Sequence, residues 1–406
     1  MTSFLKDISW SGVAVFVRAL VSFWINKVVA STLGPAVFSL LVHFQNLLGI
    51  ITFLPADGLN RALIKHNASE ERGNIFGLTI RWYVIYYIGV LGVLWLGRGV
   101  FLEWLDIELS IWFWLFFSIL LGLFLLFILL LGLYQAQQNI RSFALMQLFS
   151  AVVSLLIVTG LARLAFPIYL IAFGFLVGQF SGILIWLFRP KLPSMRINKF
   201  SFKPLIPFLS MALISLFCGT GLDFLVRTYS FDLLGEFETG LWQAPYRISL
   251  QLAALVSGIV GVVFYTRVAA IIKDKKAVKN YLERVSKTLL IPVLVIAIGM
   301  AVFAEETMLL FYSRDYVDQA LLLRIQLIGD ILMVPSYLLA YVFLASTQTS
   351  IYIGAQVVSA FIYILIVYFG LSFLGLEIFA WAHAFRFTSF LLFLTIFWYK
   401  WLKDDA

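Results

Sequence analysis

The sequence predicts an all-α integral membrane protein with twelve transmembrane helices in two six-helix lobes and both termini in the cytoplasm. Three observations support this prediction. Hydrophobic residues make up 62% of the 406 residues and charged residues only 12%, well below the share typical of soluble domains. Apolar segments long enough to cross a bilayer as helices run from end to end. Lys and Arg concentrate in every second polar break, as they do in cytoplasmic loops.

The first apolar segment is expected to be a membrane span rather than a cleavable signal, because it is long and contains Arg18. The predicted spans are Ile8–Thr32, Ala36–Ala56, Ile75–Leu96, Ile111–Tyr134, Phe143–Leu164, Ile168–Phe188, Leu205–Ser230, Gly240–Ala270, Ser286–Ala304, Asp318–Ala345, Ile351–Phe373 and Ile378–Trp401.

The loop charges support this count, because one missed or added span would reverse the alternation that follows it. The loops predicted to be cytoplasmic are basic and contain Arg61, Lys65, Arg72, Arg141, Arg189, Lys191, Arg196, Lys199, Lys203, Lys273, Lys275, Lys276, Lys279, Arg284, Lys400 and Lys403. The opposite loops hold few basic residues and are mainly acidic, with Glu103, Asp106, Glu108, Asp232, Glu236, Glu238, Glu305, Glu306 and Asp315.

Six spans lie on each side of a basic linker. The predicted units are an N-terminal lobe at residues 1–190, a cytoplasmic linker at 191–204 and a C-terminal lobe at 205–406. Two six-helix halves of the same orientation are typical of transporters built from parallel repeats. No loop is long enough to form a separate soluble domain, so function is expected in or at the membrane.

Several classes of function are disfavoured by composition. A single cysteine, Cys218, excludes an intrachain disulfide, and His43, His66 and His383 share no ligand-like spacing. We therefore expect neither a metal nor a cofactor. The net charge of +8 lies in loops between spans rather than on one soluble face, so nucleic acid is not an expected partner.

Five arginines lie inside predicted spans, where a charged side chain is costly and usually faces a cavity or a partner. These candidate substrate-binding residues are Arg18, Arg81, Arg247, Arg324 and Arg386. They lie on five different spans, and none has an acidic residue one turn away. One interpretation is a water-filled cavity with a cationic lining that binds a phosphate group, because the planar guanidinium makes paired hydrogen bonds to phosphate. The alternative is that each arginine pairs with an acid or a carbonyl of another helix.

Other polar residues in the spans are candidates for different roles. Asp223 and Arg227 are four residues apart and can form a salt bridge, either structural or part of a gate. Asp330 lies deep in the tenth span and is a candidate for ion coupling. Four further residues are candidates for a portal or groove: Asn46, Arg61, Trp242 and Gln243. Trp242 is also a candidate for stacking on sugars.

Five stretches occur in an order that resembles one family. They are Leu33-Gly34-Pro35-Ala36, His43-Phe44-Gln45-Asn46-Leu47, Gly58-Leu59-Asn60-Arg61, Gly240-Leu241-Trp242-Gln243 and Gln326-Leu327-Ile328-Gly329-Asp330. Together they resemble the O-antigen and enterobacterial-common-antigen translocases, which are polysaccharide flippases of the multidrug/oligosaccharidyl-lipid/polysaccharide exporter superfamily. The resemblance covers essentially the whole chain, although no single motif is highly specific.

The resemblance implies a fold like that of the multidrug and toxin exporters. It implies transport of an undecaprenyl-diphosphate-linked glycan from the cytoplasmic to the periplasmic leaflet of the bacterial inner membrane by alternating access. A polysaccharide polymerase and a chain-length regulator are candidate partners besides the lipid bilayer. Which arginine contacts the diphosphate does not carry over, because charged positions vary among such proteins.

Two other functions remain open. A multidrug or cation antiporter of the same superfamily is expected to have an acidic cavity, whereas acidic residues are outnumbered here. A membrane-embedded polysaccharide polymerase is expected to show a catalytic arrangement of side chains, and the sequence shows none. The chain is therefore expected to be a transporter and not an enzyme.

Overall fold

A computed structural model describes residues 2–67, 72–98, 111–137, 139–187, 205–260, 264, 267–268, 271–346 and 348–403. Within these residues the secondary structure is helical, as predicted. The predicted linker at 191–204 lies outside the described residues. In the described part of the chain, ten helical segments are long and apolar enough to cross a membrane, so the protein is a multi-pass membrane protein.

The chain divides into two compact units, Met1–Phe224 and Leu225–Ala406. The α-helices of unit 1 are α1 Thr2–Phe53, α2 Asn60–Asn67, α3 Arg72–Leu96, α4 Ile111–Ala136, α5 Ile140–Arg163, α6 Ile168–Phe180, α7 Ile183–Leu187 and α8 Ile206–Leu216. Two π-helical turns, Leu54–Leu59 and Phe217–Gly221, follow α1 and α8.

The helices of unit 2 begin with α9, which spans Leu222–Ile259 and starts just inside unit 1. The others are α10 Lys275–Val302, α11 Ala304–Phe311, α12 Ala320–Ala345, α13 Thr349–Leu374 and α14 Glu377–Lys403. A 3-10 helix, Arg314–Gln319, precedes α12.

Helix α1 breaks where the sequence predicts the end of the first span. Gly34 has φ 83° and ψ 177°, a conformation that is essentially restricted to glycine. Pro35 follows with its fixed φ and needs no backbone donor at the start of the next helical segment. The pair therefore separates two helical segments within one apolar stretch of 48 residues, Val17–Ile64.

Helix α9 breaks in the same way at Gly235, with φ 85° and ψ 174°. Arg227 and Gln243 are sixteen residues apart, a distance of about 24 Å along a straight helix. Their side chains are nevertheless hydrogen-bonded at 2.6 Å. The helix therefore folds back on itself at Gly235, and a hydrogen bond between Ser230 and Thr239 at 2.9 Å joins the two arms nearer the turn.

Each unit has its own apolar core. In unit 1, α1 packs on α5, α5 on α6 and α2 on α4, around large side chains such as Trp114, Phe117 and Leu121. In unit 2, α14 packs on α12 and α13, and α10 packs on α12, around side chains such as Phe343, Phe390 and Leu394.

Two helix boundaries differ from the prediction. Helix α10 begins at Lys275 rather than Ser286, so Lys275, Lys276, Lys279 and Arg284 are helical and not in a loop. The reason is local, because the Asp274 side chain caps the helix by accepting from the Ala277 backbone amide at 2.9 Å. In the sixth predicted span, helix α6 ends at Phe180 and the separate helix α7 continues the span to Leu187.

Candidate functional site

The arginine of α1 lies in a polar contact between helices. The Nη1 of Arg18 donates a 2.9 Å hydrogen bond to Oε1 of Gln147 on α5. Arg18 is exposed, whereas Gln147 is buried. Among the described residues, Arg18 forms no ion pair with an acidic side chain. Its partner is a neutral amide, so its positive charge is not cancelled by this contact.

Three other predicted site residues of unit 1 are placed separately. Arg81 is half-buried on α3. It lies five residues after Phe76, the first residue of the apolar stretch Phe76–Leu96, which is about 8 Å along the helix axis. Asn46 is half-buried on α1. Arg61 is largely exposed on α2 and forms an ion pair with Asp57 one turn earlier. An exposed pair of this kind contributes little to stability, and the portal role of Arg61 stays a prediction.

Arg227 is fully buried in unit 2, with 0% of its surface exposed. Its Nη2 donates to Oε1 of Gln243, which is also fully buried. Asp223, its predicted partner, is half-buried on the same helix in the other unit. The salt bridge stays a prediction, and the contact that the structure shows holds the two arms of α9 together.

Trp242 adjoins Gln243 and is 1% exposed. One face of its indole stacks on Phe379 of α14, with ring centroids 4.1 Å apart. Tyr246 packs beside it at 5.4 Å and is also buried. These rings contact protein in this structure, so the groove and sugar-stacking roles of Trp242 stay predictions.

The remaining predicted arginines of unit 2 lie in different surroundings. Arg324 is exposed on α12, and its Nε donates a 3.0 Å hydrogen bond to the Ala301 carbonyl in the last turn of α10. A cation at a helix C-terminus is favourable, so this contact fits the alternative in which an arginine pairs with a carbonyl. Arg386 lies mid-way along α14, with its guanidinium 5.6 Å from the Tyr363 ring.

Arg247 is half-buried on the second arm of α9. Its charge acts on Tyr312, a buried residue between α11 and the 3-10 helix. Burial raises the pKa of the Tyr312 hydroxyl, and the positive charge of Arg247 offsets part of that effect. The structure therefore places Arg247 near the segment that joins α11 to α12.

Asp330 is the centre of a buried polar cluster that we call the α9–α12–α14 cluster. It consists of Ser249 on α9, Gln326 and Asp330 on α12, and His383 on α14, which are 2%, 0%, 0% and 7% exposed. The Ser249 hydroxyl donates a short hydrogen bond to Oδ1 of Asp330. The Nε2 of His383 lies 3.0 Å from the same oxygen. The Gln326 amide donates to the Ser249 hydroxyl at 3.2 Å.

The close approach of α12 and α14 at this cluster depends on Gly329. A Cβ at residue 329 would overlap the imidazole of His383 and lie 3.2 Å from Cα of Ala384. Two oxygens of the cluster, Oδ2 of Asp330 and Oε1 of Gln326, are buried without a hydrogen-bond partner among the described residues. Sequence reasoning assigned a role to Asp330 alone. The spacing of Gln326 and Asp330, one turn apart, and the presence of His383 inside a span were the available signals.

A separate cavity of about 420 Å³ lies between α10, α12 and α14. Its lining is mainly apolar and includes Leu282, Pro335, Leu338, Leu391 and Trp398. None of the predicted site residues lines it. Among the described residues no group of three or more His, Cys, Asp or Glu is arranged to hold a metal ion.

Sequence comparison identifies the family. The model of the polysaccharide biosynthesis protein family matches residues 28–321, most of the chain, and the chain belongs to this family. No curated protein matches the sequence.

Comparison of structures shows which fold this family member has. The chain is similar to the lipid II flippase MurJ in an inward closed conformation, with 15% identity, a TM-score of 0.73 and coverage of 96% of this chain and 87% of that one. It is similar to an inward-facing multidrug resistance MATE family transporter of the MOP superfamily, with 11% identity, a TM-score of 0.75 and 96% of each chain covered. The Vibrio cholerae MATE transporter VcmN in the bent form has 16% identity and a TM-score of 0.61, over 100% of this chain and 99% of that one. The predicted exporter fold is therefore confirmed.

Proposed function

We propose that this protein is a flippase that moves undecaprenyl-diphosphate-linked oligosaccharide from the cytoplasmic to the periplasmic leaflet by alternating access. The observation that carries the proposal is Arg18, an exposed residue on an apolar helix whose guanidinium has the neutral Gln147 as its hydrogen-bond partner. A charge in this position needs an anionic or aqueous partner. Family membership and the fold shared with the lipid II flippase support a lipid-linked glycan as that partner's source.

The proposed topology has twelve spans, because the stretches Val17–Ile64 and Phe208–Ala254 are 48 and 47 residues long. Each is about twice the length needed to cross a bilayer, and each contains a glycine with positive φ. Counting each as two spans places both termini on one side. The loop charges support the cytoplasm as that side, and the proposed location is the bacterial inner membrane. The two predicted lobes and the linker at 191–204 belong to this proposal.

The proposed substrate site is cationic and contains Arg18, Arg81, Arg247, Arg324 and Arg386. Of these, Arg324 donates a hydrogen bond to a helix carbonyl, that of Ala301. Arginine favours a diphosphate because its fork donates two parallel hydrogen bonds to phosphate oxygens. Asp330 is the proposed ion-coupling residue. A polysaccharide polymerase and a chain-length regulator are proposed partners that act after translocation.

The test measures which leaflet holds the lipid-linked glycan in cells that lack this gene. Wild-type protein is expected to move the glycan to the periplasmic leaflet, and Arg18→Ala is expected to reduce the rate by about tenfold or more. This magnitude corresponds to the loss of one hydrogen bond to a charged group. Arg163→Ala is the matched control, because Arg163 is exposed at the end of α5, and it is expected to be fully active.

Two outcomes contradict the proposal. Full activity of Arg18→Ala, with normal amounts of protein in the membrane, removes the cationic diphosphate site. Normal appearance of the glycan in the periplasmic leaflet without this protein removes the flippase function and favours a polymerase.

A multidrug or cation antiporter is the second candidate, favoured by the similarity to MATE transporters and by the buried carboxylate of Asp330. It predicts that overproduction raises drug resistance in a strain whose other exporters are deleted. Resistance that disappears in Asp330→Asn, with no change in glycan position, would favour this function over the flippase.

A further inference from the structure

We propose that His383 and Asp330 form a proton-binding site, and that the proton held on the His383 imidazole is the ion coupled to transport. The coupling of this proton to transport rests on the proposed transport function. Its geometric basis is the α9–α12–α14 cluster, in which two titratable side chains from different helices meet at 3.0 Å in a buried position.

The hydrogen bonds identify the groups that surround the proposed proton. Oδ1 of Asp330 accepts from the Ser249 hydroxyl and faces Nε2 of His383. When Nε2 of His383 carries a proton, Oδ1 accepts from two donors, and this arrangement favours an ionised carboxylate. The transferable proton then belongs to the imidazole ring, and Gln326 supports the arrangement by orienting the Ser249 hydroxyl.

The net charge of the His383–Asp330 pair depends on one proton. When His383 is protonated and Asp330 is ionised, the pair is electrically neutral. When the imidazole loses its proton, one carboxylate charge remains in a fully buried position, with Oδ2 lacking a hydrogen-bond partner among the described residues. A buried unpaired charge is strongly unfavourable. The deprotonated pair therefore favours a different arrangement of these helices, and this preference is what couples a proton to a conformational change.

Proton exchange is expected to occur through the imidazole. The His383 side chain is 9% exposed, whereas the Asp330 side chain is 0% exposed. Histidine is also the side chain that changes charge near neutral pH. The ring thus links the buried carboxylate to the surface of unit 2.

A proton fits the site better than a metal ion. Hard cations are bound by about six or more oxygens. The cluster offers the Asp330 carboxylate, the Ser249 hydroxyl and the Gln326 amide oxygen, together with a ring nitrogen on the same carboxylate. No group of three or more His, Cys, Asp or Glu in the described part of the chain is arranged to hold a metal ion.

Other charged and titratable groups lie on the surrounding helices. They include Arg247 on α9, Arg324 on α12, Arg386 and Lys400 on α14, Tyr363 and Tyr352 on α13, and Glu283 and Lys287 on α10. The nearest in sequence to the imidazole is Arg386, three residues after His383 on the same helix, and its charge opposes a second cation. Asp330 supplies the compensating charge, so the imidazolium depends on this carboxylate.

The first experiment observes the imidazole directly. The chain contains three histidines, so the full-length protein with isotope-labelled histidine, reconstituted in lipid vesicles, gives three sets of ring signals in solid-state nuclear magnetic resonance. His383→Gln assigns the signal of interest, and His43→Gln is the matched control in unit 1. At about pH 5 we expect an imidazolium signal for His383 in the wild type and in His43→Gln, and its loss in Asp330→Asn.

The second experiment separates coupling from a purely structural ion pair. Vesicles that contain the protein and a lipid-linked glycan are compared with and without an imposed pH gradient. The wild type is expected to move the glycan at least about fivefold faster in one gradient direction, in the range of typical coupling. In His383→Gln and Asp330→Asn the ratio is expected to fall to about one, while Ser249→Ala keeps part of the effect.

The outcomes distinguish the two proposals. A neutral His383 in the wild type at about pH 5, or an imidazolium that persists in Asp330→Asn, overturns the proton site. Gradient-dependent transport that survives in both variants overturns the coupling role. Absence of glycan movement under every condition contradicts the flippase function, whereas the resonance experiment still decides the proton site because it uses no glycan.

Discussion

Gly329→Ala is expected to separate the proton-binding pair without removing either titratable group. Gly329 lies on α12 next to Asp330, and its missing side chain leaves room for the imidazole of His383. A Cβ at this position would lie 2.9 Å from Nε2 of His383 and would overlap another ring atom. The substitution therefore tests whether contact between α12 and α14 at this point is needed for the pair.

The structure sets the size of the effect. Atoms in ordinary apolar contact are about 4 Å apart, so the ring, whose nearest atom would overlap the new methyl group, must retreat by more than about 1 Å. A comparable increase in the 3.0 Å separation between Nε2 and Oδ1 of Asp330 exceeds hydrogen-bonding distance. Overpacking of a tight contact costs about 1–3 kcal/mol, and loss of a charge-assisted hydrogen bond adds about 1.5–3 kcal/mol.

The assay is thermal unfolding of the purified full-length protein in detergent, followed by the histidine resonance experiment. Gly299→Ala is the control, because a Cβ at Gly299 on α10 meets no atom within 4 Å. This control is expected to be neutral or slightly stabilising, since alanine favours helix over glycine by up to about 1 kcal/mol. An unfolding temperature of Gly329→Ala equal to that of Gly299→Ala, with an unchanged His383 signal, would refute the reasoning.

Two further predictions concern unit 1. Asn60→Ala removes two 2.9 Å hydrogen bonds, one that Asn60 donates to the Ile128 carbonyl and one that it accepts from the Tyr83 hydroxyl. The free energy of unfolding is expected to fall by about 2 kcal/mol, as measured by thermal unfolding. A loss of stability no larger than that of the exposed control Asn280→Ala would contradict this. Gln147→Leu removes the amide that orients Arg18. Because one hydrogen bond contributes about 1 kcal/mol, the rate of glycan movement is expected to fall about fivefold; an unchanged rate in the leaflet assay would show that this orientation is not needed.

Several features of the fold were predictable because their causes are local. Hydropathy along the chain identifies apolar helices, and the breaks at Gly34-Pro35 and near Gly235 follow from backbone conformations that glycine and proline favour. The extension of α10 to Lys275 was missed, because a helix that continues past the apolar segment depends on the Asp274 cap rather than on hydropathy.

The candidate site was only partly predictable. The sequence shows that Arg18, Asp330 and His383 lie inside apolar segments, where charge is costly. It does not show that Arg18 meets Gln147, 129 residues away, or that Asp330 meets Ser249 and His383, 81 and 53 residues away. It also left open whether Arg324 faces a cavity or a carbonyl, and the structure shows a contact with Ala301.

The sequence by itself therefore determined that the chain is a helical multi-pass membrane protein, and it identified the residues whose charge requires an explanation. These properties depend on the transfer of each segment from water to lipid and on residues close to one another in the chain. The tertiary structure decided which polar groups form hydrogen bonds with one another, including the buried pair of Asp330 and His383. That choice depends on how helices distant in sequence pack, at points such as Gly329 where a small side chain permits close approach.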